Sequence, residues 1–110
     1  MKLIDTASLR DWQSLARNFV LVDTLPSDSF VNGHLPGAIN IVSDDILRHA
    51  PEVLVDKHAL IVVYCASAAC KRAGLSAERL ESLGYTRVHH FVGGKKEWID
   101  AGYPLAAGRA

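Results

Sequence analysis

The sequence contains few cysteines, no excess of charge of one sign and no long apolar run, and each of these scarcities excludes a class of protein. Two cysteines are too few for the disulfide framework of small secreted domains. Lys plus Arg and Asp plus Glu are balanced at 12 each, so composition does not favour nucleic acid or a membrane surface as a partner. No apolar run approaches the length of a membrane span, and residues 1–5 do not open a signal peptide. We therefore expect a cytoplasmic protein.

The remaining composition is that of one ordinary folded domain. The chain has 110 residues, of which 49% are hydrophobic and 22% are charged. A domain of this size buries about two-thirds of the surface of its unfolded chain, so it can fold without disulfides or metal ions. Because the pattern shows no linker, repeat or low-complexity segment, we predict a single domain over residues 1–110.

Strand patterns and helix patterns alternate along the chain. Short apolar runs predict strands at residues 20–22, 38–42, 59–64 and 86–92. Helices are predicted after a Ser8 cap, from Ser27 or Asp28 toward Gly33, from a Ser43 cap to Pro51, from Lys71 to Gly84, and around Trp98. Strands separated by helices indicate an α/β fold, with an open parallel sheet and helices on both faces. The run at 59–64 lacks alternation, which predicts a strand covered on both sides.

Cys65 is the most informative residue, because it follows the most apolar predicted strand. Small residues come next, and the basic pair Lys71 and Arg72 then opens a helix. Ligands of parallel sheets bind at the carboxyl ends of the strands, which is where this thiol is expected. The N–H groups of residues 66–71 and the dipole of the following helix favour negative charge. We therefore predict that Cys65 is biased toward the thiolate and acts as a nucleophile.

Four segments carry a resemblance to a known family. They are LVD at residues 21–23 followed by GHLPGAIN at 33–40, VVYC at 62–65, L-x-x-L-G-Y-x-x-V at 80–88, and G-G-x-x-x-W-x-x-A-G-Y-P at 93–104. In this order and spacing they resemble the single-domain rhodaneses, which are sulfurtransferases. The resemblance implies an open parallel sheet of about five strands. It also implies that Cys65 accepts sulfane sulfur as a persulfide and passes it to a thiophilic acceptor.

The resemblance also implies the partners and the extent of the site. The donor would be a small anionic sulfur compound, and the acceptor a thiol, a cyanide-like molecule or a protein; no cofactor and no metal ion are implied. The predicted substrate-binding residues are those of the loop and the start of the next helix: Ala66, Ser67, Ala68, Ala69, Cys70, Lys71 and Arg72. The small residues let the backbone curl around the sulfur, while the two basic residues attract anionic donors.

The loop departs from the common rhodanese sequence Cys-Arg-Ser-Gly-x-Arg. Ala66, Ala68 and Cys70 stand where arginine, glycine and arginine are usual, and Leu25 replaces an arginine found in many members. The choice of thiosulfate as donor is therefore open. The spacing Cys65-x5-Lys71 resembles the loops of cell-cycle tyrosine phosphatases and some arsenate reductases, so a cysteine-dependent phosphatase or reductase is an alternative, although an ammonium does not replace a bidentate guanidinium. A non-catalytic interaction module is the third possibility.

The second cysteine and the acidic residue of the first motif each have two interpretations. Cys70 could form a disulfide or a sulfur relay with Cys65, but we favour a sulfur turned into the core or aside. Asp23 either lies near the site or caps the turn that follows its strand.

The histidines and the Gly-Gly segment have structural interpretations. His89 and His90 are adjacent in a strand and face opposite sides, so they do not share a metal ion. His34 is expected to organise a turn. Gly93 and Gly94 are expected to turn close to the cysteine loop, and Lys95–Lys96 to form a solvated surface.

Overall fold

The structure is a computed structural model, and it describes residues 1–109. Strands and helices alternate almost throughout. The strands are β1 Lys2–Ile4, β2 Val20–Asp23, β3 Ile39–Asn40, β4 Ile61–Tyr64 and β5 Val88–Phe91. The helices are α1 Thr6–Ser14, α2 Ser27–Asn32, α3 Ile46–Val53, α4 Arg72–Ser82 and α5 Gly94–Asp100, and a short 3-10 turn at Ser43–Asp45 leads into α3.

The five strands form one parallel sheet in the order β1-β5-β4-β2-β3. The most apolar strand, β4, therefore occupies the centre. Asp23, Tyr64 and Phe91 are paired at the carboxyl ends of β2, β4 and β5. Residues that follow these ends, Cys65 among them, are delivered to the same edge of the sheet.

Helices cover both faces of the sheet, as predicted. Side chains of α3 and α4 pack with Val22, Ile61 and Val63 on one face. Side chains of α1, α2 and α5 pack with Leu21, Val62 and Tyr64 on the other. The four residues of β4 alternate between the two cores, which explains why its sequence is apolar throughout. The α/β fold with a parallel sheet of five strands is confirmed.

Three predicted helix boundaries are wrong. Ser43 does not cap the third helix but begins the 3-10 turn, and Asp45 is the N-cap of α3. Asp5, not Ser8, caps α1, because the Asp5 carboxylate accepts the N–H of Ser8 at 2.8 Å.

Pro51 does not end the third helix but lies within α3 near its C-terminus. Pro51 lacks the N–H that would bind the Leu47 carbonyl, but the helix continues past it to Val53, and the N–H of Leu54 donates to the Ala50 carbonyl at 2.7 Å.

Strands β1 and β3 differ most from the prediction. Strand β1 was not predicted from its pattern, and the strand expected at residues 38–42 is reduced to the two residues of β3. Both lie at edges of the sheet, where each pairs with a single neighbour. In residues 1–109, no helix is long and apolar enough to cross a membrane.

Candidate active site

Cys65 lies at the carboxyl end of the central strand and starts the loop that leads into α4. The residue is 1% exposed. The loop after it is short and closed on itself, since the N–H of Cys70 donates to the carbonyl of Ser67 at 3.1 Å. Ala66, Ala68 and Ala69 are exposed, whereas Ser67 and Cys70 are half-buried. The fold therefore places a buried sulfur beneath a loop whose small side chains face outward.

The N-terminus of α5 holds the inner side of this loop. The backbone N–H groups of Lys95 and Lys96 donate to the carbonyls of Cys65 and Ala66 at 3.0 and 2.9 Å. Gly94 has a φ of 62°, and a Cβ added there would lie 2.3 Å from the Cys65 carbonyl oxygen. Only glycine permits both this backbone conformation and this close approach. The predicted tight turn of the Gly-Gly segment against the cysteine loop is confirmed.

Two backbone N–H groups point at the Cys65 sulfur, but they do not make it a thiolate. Burial is the largest of the effects that raise the pKa of the thiol to about 11, and a hydrogen bond from the thiol to Cys70 is the second. The N–H groups of Ala73 and Ala66 lower the pKa, but by less. The single proton of this thiol points to the Cys70 carbonyl, at 3.4 Å, with the Cys70 sulfur beside it. The predicted thiolate bias is therefore wrong for the thiol in this structure, because desolvation and a neutral-state hydrogen bond outweigh the N–H groups.

Cys70 lies against Cys65 and is the more acidic thiol of the two. Burial raises the pKa of Cys70, but the hydrogen bond from the Cys65 thiol, the N–H groups of Arg72 and Ala66 and the positive charge of Arg72 together lower it. The N–H of Ala66 thus serves both sulfurs. The Cys70 sulfur packs against the core, which is one of its two predicted positions, and it also lies beside the Cys65 thiol.

The two basic residues at the end of the loop, Lys71 and Arg72, have different surroundings. Lys71 is exposed. The guanidinium of Arg72 donates to the Ser43 hydroxyl at 3.0 Å, so it is partly committed to holding α4 against the 3-10 turn. A bidentate guanidinium clamp over the sulfur, which phosphate chemistry would use, is not formed by this pair.

A cleft of about 730 Å³ lies beside the loop. Its lining includes Cys70, Lys71 and Arg72 together with Ser43 and Asp44. Solvent thus reaches the site from the side of Cys70.

A buried polar network supports the strand that carries Cys65. The Asp23 carboxylate is fully buried; it accepts the Leu25 N–H at 2.9 Å and the Tyr64 hydroxyl at 2.8 Å. The ammonium of Lys95 lies 3.7 Å from Asp23 and donates to the Ser29 carbonyl at 2.9 Å. The turn-capping role of Asp23 is confirmed. The prediction that Lys95 belongs to a solvated surface is wrong, because its ammonium reaches inward to a buried carboxylate.

The sequence did not reveal Tyr64 and Lys95 as supports of the site. Tyr64 ends an apolar strand and read as one more core residue, although its hydroxyl also accepts the N–H of Leu35 at 3.0 Å. Burial and the neighbouring charge of Asp23 raise the pKa of Tyr64, so its hydroxyl stays a donor. One signal for Tyr64 was available in the sequence. Asp23 and Tyr64, an acid and a hydroxyl, each end a predicted strand, and the carboxyl ends of parallel strands meet at one edge of the sheet.

The histidines occupy separate, structural positions. His89 packs against Trp12 with ring centroids 5.3 Å apart, whereas the ring of His90 faces Gly74 of α4 on the other side of the sheet. His34 is buried, stacks on Phe30 and contacts its carbonyl at 2.8 Å. The opposite facing of His89 and His90 and the structural role of His34 are confirmed. Within residues 1–109, no three His, Cys, Asp or Glu side chains are grouped to hold a metal ion.

Comparison with known proteins gives a family match over most of the chain. The model of the rhodanese-like domain family matches residues 6–101. The thiosulfate sulfurtransferase PspE of Escherichia coli is 29% identical, over 69% of this chain and 70% of its own length. The adenylyltransferase and sulfurtransferase UBA4 of Candida albicans is 32% identical over 84% of this chain, but the match spans only 23% of that protein.

Solved structures agree on the architecture. The BH2092 protein of Bacillus halodurans superposes with a TM-score of 0.88 at 24% identity, over 96% of this chain and 77% of that chain. The human single-domain sulfurtransferase TSTD1 superposes with a TM-score of 0.79 at 22% identity, over 91% of this chain and 96% of that chain. At these identities the likeness concerns the fold.

Proposed function

The chain belongs to the rhodanese-like domain family, and we propose that it is a sulfurtransferase that carries sulfane sulfur as a persulfide on Cys65. The observation that carries the proposal is the position of this sulfur. It lies at the carboxyl end of the central strand, beneath a closed loop, with the N–H groups of Ala66 and Ala73 directed at it. Such donors stabilise the negative charge of a persulfide anion in the way an oxyanion hole stabilises oxygen.

The reaction begins when the Cys65 thiol gives its proton to water. Because burial and the hydrogen bond to Cys70 raise the pKa of the Cys65 thiol to about 11, only a small fraction of the molecules holds the thiolate at neutral pH. This thiolate attacks the terminal sulfur of an anionic donor. The S–S bond of the donor breaks, and its leaving group, sulfite in the case of thiosulfate, departs with the electron pair. Cys65 is left as a persulfide.

Transfer follows when a nucleophilic acceptor attacks the outer sulfur of the persulfide. The acceptor is a thiolate, a cyanide-like molecule or a cysteine of another protein, and the Cys65 thiolate leaves. The loop offers no arginine to the donor, so donor binding depends on backbone N–H groups and on the positive charge of Lys71 and Arg72 at the rim. Both cysteines are free thiols in this structure, and the cycle requires a reducing compartment such as the cytoplasm.

The proposal is tested by mass spectrometry of the reduced protein after exposure to thiosulfate, inorganic polysulfide or 3-mercaptopyruvate. We expect the peptide that contains Cys65 to gain one sulfur atom with at least one donor, in the native chain or in Cys70→Ser, and Cys65→Ser to gain none at that position. Because a persulfide can be lost during handling, Cys70→Ser is measured in parallel. If neither the native chain nor Cys70→Ser gains sulfur from any donor, the proposal is wrong. Turnover of an aryl phosphate that Cys65→Ser abolishes would instead assign phosphatase chemistry.

A further inference from the structure

The second cysteine of the loop is unused by the reaction above, although it touches the reacting sulfur. The Cys65 thiol donates its proton to the Cys70 carbonyl at 3.4 Å, and the two thiols lie close enough to influence each other's pKa. Both sulfurs share the N–H of Ala66. Once one of them carries a persulfide, a thiolate held beside it by the same short loop attacks it far faster than a thiol from solution does.

We propose that Cys70 is a resolving cysteine: its thiolate attacks the inner sulfur of a Cys65 persulfide, forms a Cys65–Cys70 disulfide and releases hydrosulfide. The inference rests on the proposed function, because it begins from the persulfide. It adds a second product, hydrosulfide, and a second acceptor, a thiol within the same loop.

The step balances without an outside oxidant. The persulfide S–S bond breaks and its outer sulfur leaves as hydrosulfide with the electron pair, while the new S–S bond joins Cys65 and Cys70. The sulfane sulfur is reduced to sulfide, and the two cysteines are oxidised. A dithiol reductant then restores both thiols and is itself converted to a disulfide.

The surroundings of Cys70 suit the attacking role. The N–H groups of Arg72 and Ala66 and the charge of Arg72 favour its thiolate, and its pKa is lowered in spite of its partial burial. The neighbouring thiol is that of Cys65, whose Sγ becomes the inner sulfur once a persulfide has formed. Attack at that atom expels hydrosulfide, which is a stable anion in neutral water and therefore a competent leaving group.

The cleft beside the loop suits the reduction that must follow. Cys70 lines this cleft of about 730 Å³, whereas Cys65 is 1% exposed. A dithiol therefore approaches the disulfide from the Cys70 side.

The test follows hydrosulfide and protein mass together under anaerobic conditions. The reduced native chain, Cys70→Ser, Cys70→Ala and Cys65→Ser are each exposed to inorganic polysulfide or thiosulfate and freed of donor. They are then held without any thiol. We expect the native chain to release stoichiometric hydrosulfide and to end two hydrogens lighter than the reduced chain. Both Cys70 variants are expected to keep one added sulfur on Cys65 and to release none.

The outcomes separate the two proposals. If the Cys70 variants gain sulfur on Cys65 but the native chain keeps its sulfur as well, the resolving role is overturned and the carrier function stands. Sulfur found on Cys70 by peptide mapping would overturn it in favour of a relay. If no chain gains sulfur or releases hydrosulfide, the carrier function fails, and the resolving step fails with it. A sample that never received a donor serves as the control. If it also forms the Cys65–Cys70 disulfide, the bond comes from residual oxygen and not from a persulfide, and the resolving role is overturned.

Discussion

The two sides of the Cys65 loop are built differently. The inner side is fixed by buried polar contacts: Gly94 packs on the Cys65 carbonyl, Lys95 donates to it, and Asp23 binds the hydroxyl of Tyr64. The outer side, residues 66–71, consists of small or exposed side chains and faces a cleft. The inner side therefore determines where the sulfur lies and how stable the domain is. The outer side determines what reaches the sulfur and how fast it reacts.

Removing the Asp23 carboxylate is expected to have the largest effect on stability. In Asp23→Ala, the buried Tyr64 hydroxyl and the Lys95 ammonium lose their partner, so we expect a loss of about 3–4 kcal/mol in the free energy of unfolding. Urea unfolding measures it. The matched control is Asp28→Ala, which removes an exposed carboxylate and is expected to cost at most about 0.5 kcal/mol. Similar losses in the two variants would contradict the distinct role of the inner side.

A methyl group at Gly94 tests the contact between α5 and the loop. Gly94→Ala must adopt a φ of 62° and push against the Cys65 carbonyl, which a Cβ would approach to 2.3 Å. We expect a loss of about 2–3 kcal/mol and slower formation of the persulfide.

Gly102→Ala separates strain from contact. Gly102 has a φ of 90°, and a Cβ there would have no neighbour within 4 Å. This variant should lose only the conformational part, about 1 kcal/mol, and should form the persulfide at the native rate. Equal losses for the two glycine variants would mean that the close approach at Gly94 is unimportant.

Alkylation compares the two cysteines directly. A raised pKa lowers the thiolate fraction at neutral pH and a lowered pKa increases it, so iodoacetamide is expected to modify Cys70 at least about tenfold faster than Cys65. From neutral pH upward, the Cys65 rate should rise by about tenfold per pH unit and level off near its pKa of about 11. Peptide mapping over time gives both rates. Faster modification of Cys65 at neutral pH would overturn the assigned order of acidity.

The smallest expected effect concerns steering by the exposed base at the rim. Lys71→Ala is expected to raise the apparent KM for thiosulfate or polysulfide by about two- to threefold at low ionic strength, with kcat unchanged and the difference lost in high salt. Lys2→Ala serves as control. Lys2 is also exposed, but it lies at the amino end of β1, whereas Cys65 follows the carboxyl end of the parallel strand β4. Equal KM values for the Lys71 variant and the native chain at low salt would exclude steering.

The sequence predicted the parts of the fold whose signals are local. The unbroken apolar run before Cys65 marked the central strand because both faces of β4 are covered. Gly84 marked the end of α4 because its φ of 96° favours glycine. Strand β1 escaped prediction because it has three residues at a sheet edge, and Leu3 is 71% exposed. An edge strand with one neighbour needs no strong apolar pattern.

The site was harder to predict than the fold because its chemistry depends on distant contacts. Cys65 was located correctly, but its pKa depends on burial and on a hydrogen bond to Cys70 that sequence spacing does not reveal. Lys95 follows an exposed-looking turn, yet it pairs with a carboxylate that is far away in sequence, Asp23. Interactions between residues on different strands and helices arise only when the sheet is assembled.

Backbone atoms make the contacts that hold the Cys65 loop in shape. The N–H groups of Lys95, Lys96 and Cys70 bind the carbonyls of Cys65, Ala66 and Ser67. The side chains of Ala66, Ala68 and Ala69 are exposed and take no part in these bonds. The shape of the loop therefore does not depend on the side chains at these three positions. Substitutions at these three positions are therefore expected to change which donor the proposed sulfurtransferase accepts, without breaking the hydrogen bonds that hold the loop.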